Sequence, residues 1–344
     1  MKLSAKCQYL AWPALLLAAG AALAGPPQAV TECETWITEP GNYYLANDLV
    51  ECEDVGVLIL ASDVTLDLKG HTISCADNGA RSGGVVAGLY APVSNVTVRN
   101  GGVTGCADGI LLAGHVDEDG TVLAWAQDSK IKKITSWDNR LYDGPGSGTG
   151  ITLWYAQNSE ITHNHVYGNA IQGIGSWESS GNLFKHNTST DNGTSGYGVG
   201  IDLTGETNSR FLCNRIHGNV DGILMAPSID TGVISSGNLL RGNVVTGNFS
   251  GIGMMGFAWD GYYWLDIPNA NTVRSNIVEG NWWANLFEIY YDLYNGDVLL
   301  HPEDTCMNAW VKNQFGPPLL GPEGCFGTSV VLDYDDVCAL DDDD

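Results

Sequence analysis

The architecture of the chain is set by a stretch that reads Asn158-SEITH-Asn164-HVYG-Asn169 and is followed by Gly173-Ile174. The Asn pattern occurs four more times up to Asn281, with middle Asn residues at Asn187, Asn214, Asn243 and Asn276. These middle Asn residues recur after 23, 27, 29 and 33 residues, so the pattern is constant and the segments between copies vary. Self-similarity at this period predicts a stack of similar coils.

Each copy contains three short segments of alternating apolar and polar residues, with Asn or Gly at the corners. Alternation with a period of two residues is typical of strands, and the corner Asn residues tolerate left-handed backbone. In successive coils these Asn side chains are expected to stack about 4.8 Å apart, each amide bonding to the next. We therefore predict a solenoid of parallel strands. One row of inward apolar residues lies three positions before the middle Asn: Ile161, Phe184, Phe211, Leu240 and Val273.

The pattern N-x-[ILV]-x-x-N-x-[IV]-x-x-N-x-x-x-G-I resembles that of secreted right-handed parallel β-helix repeat proteins of the pectate-lyase-like superfamily. The resemblance covers residues 40–315 and implies an all-β fold, a single-stranded right-handed parallel β-helix. That superfamily includes polysaccharide lyases, uronate epimerases, glycoside hydrolases and a periplasmic helper of copper-site assembly. One fold carries many different sites, so the resemblance implies the fold more strongly than the activity.

The N-terminus has the features of a cleaved signal peptide over residues 1–24. Lys2 and Lys6 precede an apolar run that ends at Ala22-Leu23-Ala24, as in secretory signals. Its removal takes away two Lys and no acidic residue, so 15 basic and 40 acidic side chains become 13 and 40, a net charge of −27. A surface of this sign repels nucleic acid and anionic membranes. We expect a monomeric protein exported to the periplasm or the cell exterior, with no transmembrane segment and no nucleic-acid partner.

The predicted organisation follows the chain. Residues 25–60 form an N-terminal cap and opening segment, residues 61–315 the β-helix, and residues 316–344 a C-terminal cap and acidic tail. A calcium-binding role for the tail is an alternative to a charged, disordered tail. No other cofactor is evident.

Cysteine usage indicates an oxidising compartment. Of nine Cys residues, eight remain once Cys7 leaves with the signal peptide, and disulfides are then the expected state. None of them has the spacing of a metal site. Cys213 and Cys338 are left without an assigned partner. Cys33 and Cys52 bracket the start of the solenoid. Cys75 and Cys106 end matching segments of adjacent coils. Cys306 and Cys325 bracket the exit.

Positive charge between residues 141 and 311 is confined to one corner of the predicted coils. Lys185, Arg241 and Arg274 hold the same position, two residues before the middle Asn, and Arg210 and Arg215 are the only other Lys or Arg residues in this range. Stacked coils therefore predict a cationic strip about 15 to 20 Å long, which suits an acidic polysaccharide. The alternative is a solvated face whose cations pair with neighbouring acids.

Aromatic residues such as Trp154 and Trp177 follow the third strand of the coils, and others line two inserts in the later coils. Exposed rings beside carboxylates suit sugar stacking, whereas an insert can also bury its own rings as a side cluster. For the first insert the two alternatives are equal: Trp259, Tyr262, Tyr263 and Trp264. For the second insert we expect a buried cluster: Trp282, Trp283 and Phe287.

Two kinds of sugar chemistry are compatible with these side chains. A lyase or epimerase needs a base and a cation that stabilises the developing anion, whereas a glycoside hydrolase needs two facing carboxylates. The Asp-Pro-His signature of β-helix epimerases is absent, as are the paired-Asp and Gly-His-Gly signatures of polygalacturonases. The candidates are Lys185, Arg241 and His186 for the first chemistry, and Asp202 with Asp260 or Glu288 for the second.

The sequence thus predicts an exported β-helix that binds polysaccharide along its side. The preferred ligand is an acidic, uronate-containing polysaccharide on the cationic strip, with lyase-type chemistry. If the protein is an enzyme, it is a polysaccharide lyase or a glycoside hydrolase. The alternative from another class is a non-catalytic surface or structural β-helix, and a metal-enzyme maturation helper ranks below both because no His, Cys or Met cluster stands out.

Overall fold

A computed structural model describes most of the chain: residues 25–77, 82–117, 121–141, 148–196, 198–260, 262–300, 306–322 and 324–339. The predicted signal peptide at residues 1–24 and the acidic end at residues 340–344 lie outside the described residues.

The described chain is built almost entirely of short strands. The first coils contain β1 (Gln28–Val30), β2 (Thr35–Ile37), β3 (Gly41–Leu45), β4 (Leu49–Cys52), β5 (Val55–Ile59), β6 (Val64–Asp67), β7 (Thr72–Cys75), β8 (Gly83–Ala87), β9 (Thr97–Thr104), β10 (Asp108–Ala113), β11 (His115–Val116), β12 (Val122–Ala124) and β13 (Ala126–Gln127). The central coils contain β14 (Lys130–Trp137), β15 (Thr149–Trp154), β16 (Ala156–Gln157), β17 (Glu160–Thr162), β18 (His165–Tyr167), β19 (Gln172–Trp177), β20 (Leu183–Lys185), β21 (Thr188–Thr190), β22 (Val199–Thr204), β23 (Arg210–Leu212), β24 (Arg215–His217), β25 (Asp221–Ala226), β26 (Leu239–Arg241) and β27 (Val244–Thr246). The last coils contain β28 (Ser250–Trp259), β29 (Tyr262–Leu265), β30 (Thr272–Arg274), β31 (Ile277–Glu279), β32 (Ala284–Asp292), β33 (Val298–Leu300), β34 (Ala309–Val311), β35 (Gln314–Phe315), β36 (Leu319–Leu320) and the helix α1 (Tyr334–Ala339).

Each central coil contributes three strands to two long sheets. The first two strands of a coil join one bent sheet, hereafter the first sheet, in which β17, β20, β23, β26 and β30 pair in parallel and β18, β21, β24, β27 and β31 do the same. The third strand joins the second sheet, in the order β2-β5-β8-β10-β15-β19-β22-β25-β28-β32-β33. This is the predicted right-handed parallel β-helix, because each strand pairs with its equivalent in the next coil.

The core lies between the two sheets and consists of the inward rows. The predicted row of Ile161, Phe184, Phe211, Leu240 and Val273 is fully buried. The Phe184 and Phe211 rings stack with their centroids 4.5 Å apart. Each such side chain contributes roughly 1.5 to 3 kcal/mol when it leaves water, so the rows hold the coils together along their whole length.

Buried Asn side chains form ladders at the corners. In the middle ladder the side-chain amide of Asn187 donates to Asn214 Oδ1 at 3.0 Å, and that of Asn214 donates to Asn243 Oδ1 at 2.9 Å. The first corner differs from the prediction at two places, because Ser159 and Ser209 occupy the ladder. The predicted members Asn158 and Asn208 instead adopt left-handed backbone with φ of 53° and 54°.

Disulfides close both ends of the solenoid and fix its C-terminus. The structure contains Cys33–Cys52, Cys75–Cys106 and Cys306–Cys325, which join the residues that flank the start and the exit. A fourth bond, Cys213–Cys338, spans 125 residues and holds α1 against the first sheet.

Candidate functional site

A cleft of about 900 Å³ lies on the outer face of the second sheet. Its floor is made by outward residues of β5, β8, β10 and β15, where Leu58, Val86, Leu111 and Thr152 stand in register on successive strands. Alternation along each strand produces this floor, because the neighbours of these residues point into the core. The cleft is therefore a direct product of the coil repeat.

Two tryptophans stand side by side in the wall of the cleft. Trp154 at the end of β15 pairs in register with Trp177 at the end of β19, and both are half-buried. Gly175 lies two residues before Trp177, and a Cβ there would lie 3.0 Å from Trp177 Cη2. The absence of a side chain at Gly175 thus lets the Trp177 ring lie against the sheet. Two flat aromatic faces one coil apart, about 4.8 Å, line the cleft.

Asp202 on β22 supports this aromatic wall through hydrogen bonds. It is only 7% exposed and accepts hydrogen bonds from the Gln172 amide and, at 3.3 Å, the Thr204 hydroxyl. Burial raises the pKa of Asp202 to about 7, against the opposing effect of its hydrogen bonds to Thr204 and Trp177. The group therefore holds its neighbours in place and is nearly shielded from solvent.

Glu178, directly after Trp177, shapes the other side of the cleft. Its Oε1 atom accepts hydrogen bonds from the hydroxyls of Ser228 and Thr231, the second at 2.8 Å. These bonds hold the loop at residues 227–233 beside the cleft, which that loop lines with Pro227, Ser228, Ile229 and Asp230. Burial and the adjacent Glu178 carboxylate raise the pKa of Tyr155 above its usual value.

Carboxylates are spread along the cleft. Asp108 is 2% exposed and accepts a hydrogen bond of 2.8 Å from the Thr152 hydroxyl. Asp54 and Asp230 are exposed lining residues. Burial also raises the pKa of Asp221, which accepts a hydrogen bond from Ser250 on the same face. With Glu178, the lining carries four carboxylates, and none of the lining residues that the structure describes is Lys, Arg or His.

The predicted cationic strip lies on the other sheet. Register aligns Arg99, Lys132, Thr162, Lys185, Leu212, Arg241 and Arg274 as one outward row of the first sheet. Arg210 on β23 and Arg215 on β24 flank this row, and His186 lies at its corner with its ring 5.1 Å from that of His163. Asp202 stands on the second sheet, so Lys185, His186 and Arg241 do not share a site with it.

The C-terminal segment packs beside this row. The Tyr334 hydroxyl donates to the Cys213 carbonyl oxygen at 3.0 Å, and the Arg215 guanidinium lies 4.0 Å from the centre of the Tyr334 ring. Val337 and Cys338 contact Gly242, the residue after Arg241. The acidic segment and the cationic row are therefore neighbours.

The remaining predicted candidates lie in two hairpins beyond the cleft. Trp259 and Trp264 are 53% and 52% exposed, and Trp259 contacts the Tyr294 ring at 5.6 Å. Asp260 turns the chain between β28 and β29 and its backbone N–H donates to Asp292. Tyr262 and Tyr263 belong to β29, and their side chains lie outside the described residues.

The second aromatic insert forms a side cluster. Phe249 stacks with Trp283 at 5.9 Å, and Trp283 meets Phe287 edge-on at 5.5 Å. Trp282 contacts Phe249 but is 78% exposed, so it covers the cluster without being buried in it. Glu288 is fully buried and accepts hydrogen bonds from the Met307 backbone and the Trp310 indole. It closes the exit of the core and does not face Asp202.

Among the described residues, no three His, Cys, Asp or Glu side chains converge on a common point suited to a metal ion. No helix in the described part of the chain is long and apolar enough to traverse a bilayer.

The structure defines the class of protein: it is a right-handed parallel β-helix with a cleft on one outer face. The family model described as right handed beta helix region matches residues 46–197 and 90–258. These ranges together cover more than half of the chain, which therefore belongs to this family. A search of curated protein sequences gives no match.

Solved structures share the fold at low sequence identity. The A-module of the mannuronan C-5 epimerase AlgE6 from Azotobacter vinelandii is 13% identical, with a TM-score of 0.54, and the alignment covers 89% of each chain. The A-module of AlgE4 from the same organism is also 13% identical, with a TM-score of 0.53 and coverage of 86% of this chain and 78% of the other. At this identity the similarity establishes the fold alone.

The sequence singles out no site at the cleft, although Trp154 and Trp177 belong to the aromatic residues that follow the third strand and suit sugar stacking. Trp154 and Trp177 nevertheless share a signal, because each follows the corner Ile of its coil by three residues. The lining residues Asp54, Asp108 and Asp230 carry no comparable signal, since they come from separate coils and an irregular loop.

Proposed function

We propose that this protein is an exported β-helix that binds polysaccharide in the cleft on the outer face of the second sheet. The observation that carries the proposal is the pair of half-buried indoles, Trp154 and Trp177, in register above a cleft that is lined with carboxylates. The apolar face of a sugar ring stacks on an indole, while its hydroxyls hydrogen-bond to carboxylates beside it.

Three further observations support this proposal. The cleft runs across several coils, so an extended chain of sugars can lie along it. Two proteins with this fold are named as mannuronan epimerases, and mannuronan is a polysaccharide. Four disulfides accord with an oxidising compartment outside the cytoplasm.

The cleft supports binding more strongly than turnover. Asp202 is covered by its neighbours, Asp108 and Glu178 are engaged by hydroxyl groups, and Asp260 lies in a separate hairpin. A hydrolase needs two carboxylates that face each other across the scissile bond, whereas these residues are engaged within the protein or lie in a separate hairpin. We therefore assign the cleft a binding role.

Affinity electrophoresis in gels that contain one polysaccharide at a time tests the proposal. Wild-type protein is expected to be retarded by at least one polysaccharide, and Trp154→Ala should abolish the retardation. Trp282→Ala is the matched control, because Trp282 is an exposed tryptophan outside the cleft. Equal retardation of the wild type and Trp154→Ala would show that the ligand binds elsewhere.

A second candidate function rests on the cationic row of the first sheet. Arg241 and Arg274 pair directly in register, and Lys185 stands two coils before Arg241 in the same row. This arrangement suits an acidic polysaccharide and leaves lyase-type chemistry with His186 as the base to be tested. The triple variant Lys185→Ala, Arg241→Ala, Arg274→Ala should lose binding to polyuronate, and the wild type should release the ultraviolet-absorbing unsaturated product. Retained binding in the variant would exclude the row, and the absence of product with and without Ca²⁺ would exclude the lyase.

A further inference from the structure

We infer that the sugar-binding surface extends beyond the cleft to Trp36, at the N-terminal end of the solenoid, and this inference rests on the proposed function of the cleft. Trp36 lies on β2, the first strand of the second sheet. Its side chain is 66% exposed and lies one coil outside the lining of the cleft. A single exposed apolar side chain is ordinary on a protein surface, so the position of this tryptophan in the sheet is what matters.

Trp36 continues the floor of the cleft by one coil. It pairs in register with Leu58 on β5. The same outward row then runs through residues that line the cleft on β8, β10 and β15: Val86, Leu111 and Thr152. Because paired residues on parallel strands point to the same side of a sheet, the Trp36 ring lies on the face that carries the cleft.

The backbone around Trp36 is held in place by the core and by a disulfide. The neighbouring Ile37 is 1% exposed, so its side chain anchors β2 in the core. The Cys33–Cys52 disulfide holds the segment before β2, and the Glu34 backbone N–H donates to the Val55 carbonyl oxygen at 2.8 Å. A ring on a rigid strand loses little conformational entropy when a sugar stacks on it.

The residues that flank Trp36 suit a sugar better than an apolar partner. Glu34 lies two residues before the ring and Thr38 two residues after it, and both are exposed. A sugar offers an apolar face for stacking and hydroxyl groups at its rim that bond to such side chains. An apolar protein surface would instead bury the carboxylate and the hydroxyl without partners, which costs free energy.

The spacing of the strands sets the length of the ligand. From Trp36 to the level of Trp154 the second sheet adds four strand spacings, through β5, β8, β10 and β15, or about 19 Å in total. Trp177 lies one coil further. A disaccharide held against Trp154 and Trp177 is too short to contact Trp36, whereas an extended hexasaccharide along the solenoid axis contacts all three rings. Trp36 therefore makes affinity depend on chain length.

Calorimetric titration with sugar dimers and hexamers tests this dependence. The probes are the dimer and hexamer of β-1,4-linked glucose, N-acetylglucosamine and mannuronate, and the wild type should bind at least one hexamer more tightly than its dimer. Trp36→Ala should weaken binding of that hexamer about 3- to 10-fold, the amount that aromatic stacking contributes, and should leave binding of the dimer unchanged. Trp282→Ala, which removes an exposed tryptophan near the opposite end of the solenoid, should alter neither.

The outcomes separate the extension from the general proposal. Equal hexamer affinity in the wild type and Trp36→Ala, with binding lost in Trp154→Ala, would overturn the extension and keep the cleft as a sugar site. If only a polysaccharide in the gels is bound, Trp36→Ala should weaken its retardation, and undiminished retardation would overturn the extension. Failure of every hexamer and of every polysaccharide would overturn both.

A second copy of the chain is the competing occupant of the Trp36 surface. Sedimentation velocity distinguishes it, because the extension predicts monomers for the wild type and for Trp36→Ala alike. A wild-type dimer that Trp36→Ala converts to a monomer would show that Trp36 contacts another copy, and would overturn the extension.

Discussion

Asn214 shows how much one residue of the ladder does for its neighbours. Its side-chain oxygen accepts from the backbone N–H and the side-chain amide of Asn187, both at 3.0 Å. Its own amide donates to Asn243 Oδ1 and to the Phe184 carbonyl oxygen. Asn214 is fully buried, so its truncation leaves these groups without water to replace it.

Asn214→Ala should therefore lower the free energy of unfolding by about 2 to 4 kcal/mol, because each buried polar group left without a partner costs about 1 to 3 kcal/mol. The shift of the midpoint in urea denaturation measures the effect. Asn295→Ala is the matched control, since Asn295 is exposed in a hairpin and should cost less than about 0.5 kcal/mol. Similar midpoints for the two variants would show that a buried Asn of the ladder contributes no more to stability than an exposed Asn does.

Asp202 gives the protein a definite dependence of stability on pH. Burial raises its pKa from 3.8 to about 7, so the folded state binds a proton that the unfolded state releases at lower pH. The stability that this group contributes is present below about pH 4 and is lost as pH rises to about 7. Glu206, whose pKa burial raises to about 6, and Asp221 act in the same direction.

Asp202→Asn should remove part of this pH dependence. One pKa unit corresponds to about 1.4 kcal/mol, so the loss of stability between about pH 4 and pH 8 should shrink by on the order of 4 kcal/mol in the variant. Urea denaturation at several pH values measures the slope. An unchanged slope would mean that Asp202 is ionised in the folded protein throughout this range.

Gly175 tests whether the position of the Trp177 ring matters for binding. A Cβ at Gly175 would lie 2.6 Å from Gln172 Oε1 and 3.0 Å from Trp177 Cη2, so Gly175→Ala must displace the Gln172 amide and push the indole away by a few tenths of an ångström. We expect the affinity for a sugar that binds in the cleft to fall about 3- to 10-fold, the amount that aromatic stacking contributes. Gly316→Ala is the control, because nothing lies within 4 Å of a Cβ there. Equal affinities for the two variants would show that the position of the Trp177 ring does not affect binding.

At the scale of elements, the C-terminal segment packs beside the cationic row. It returns over the corner of the first sheet, tied by Cys213–Cys338 and by the contact of Arg215 with Tyr334. Asp333 and Asp335 lie in or next to α1, so the segment brings negative charge to a face that the repeat makes positive.

Releasing this segment should expose the row. The double variant Cys213→Ser, Cys338→Ser should bind an acidic polymer several-fold more tightly than the wild type at low salt, because removing an acidic neighbour strengthens the field of the cations. Retention on a column of immobilised polyuronate measures the change. Cys33→Ser with Cys52→Ser, which breaks a bond at the far end, is the control. Unchanged retention together with protease cleavage of the released segment would show that the segment does not cover the row.

Elements and their register could be predicted from the sequence, because every coil repeats the same inward and corner positions. The exceptions have local causes. Both residues suit a corner at Asn158-Ser159 and at Asn208-Ser209. In each pair the Asn adopts left-handed backbone and the Ser occupies the ladder position. The partner of Cys213 could not be predicted, since Cys338 reaches it through an irregular segment.

At the scale of the whole molecule, the cationic row and the cleft lie on the outer faces of different sheets. The row of Lys185, Arg241 and Arg274 was predictable because it follows the repeat. The cleft was not, because its walls join Asp54 of an early coil to a loop at residues 227–233 whose shape depends on hydrogen bonds to Glu178. A rigid solenoid thus fixes which surface residues are neighbours, while loops decide where a ligand can be enclosed.

The most direct test of this account is a crystal structure of the protein soaked with the oligosaccharide that binds most tightly in solution. The account predicts sugar rings stacked on Trp154 and Trp177, with their polar groups within hydrogen-bond distance of Asp54, Asp230 or Ser82. Sugar density along the row of Lys185, Arg241 and Arg274, with the cleft holding only water, would contradict it.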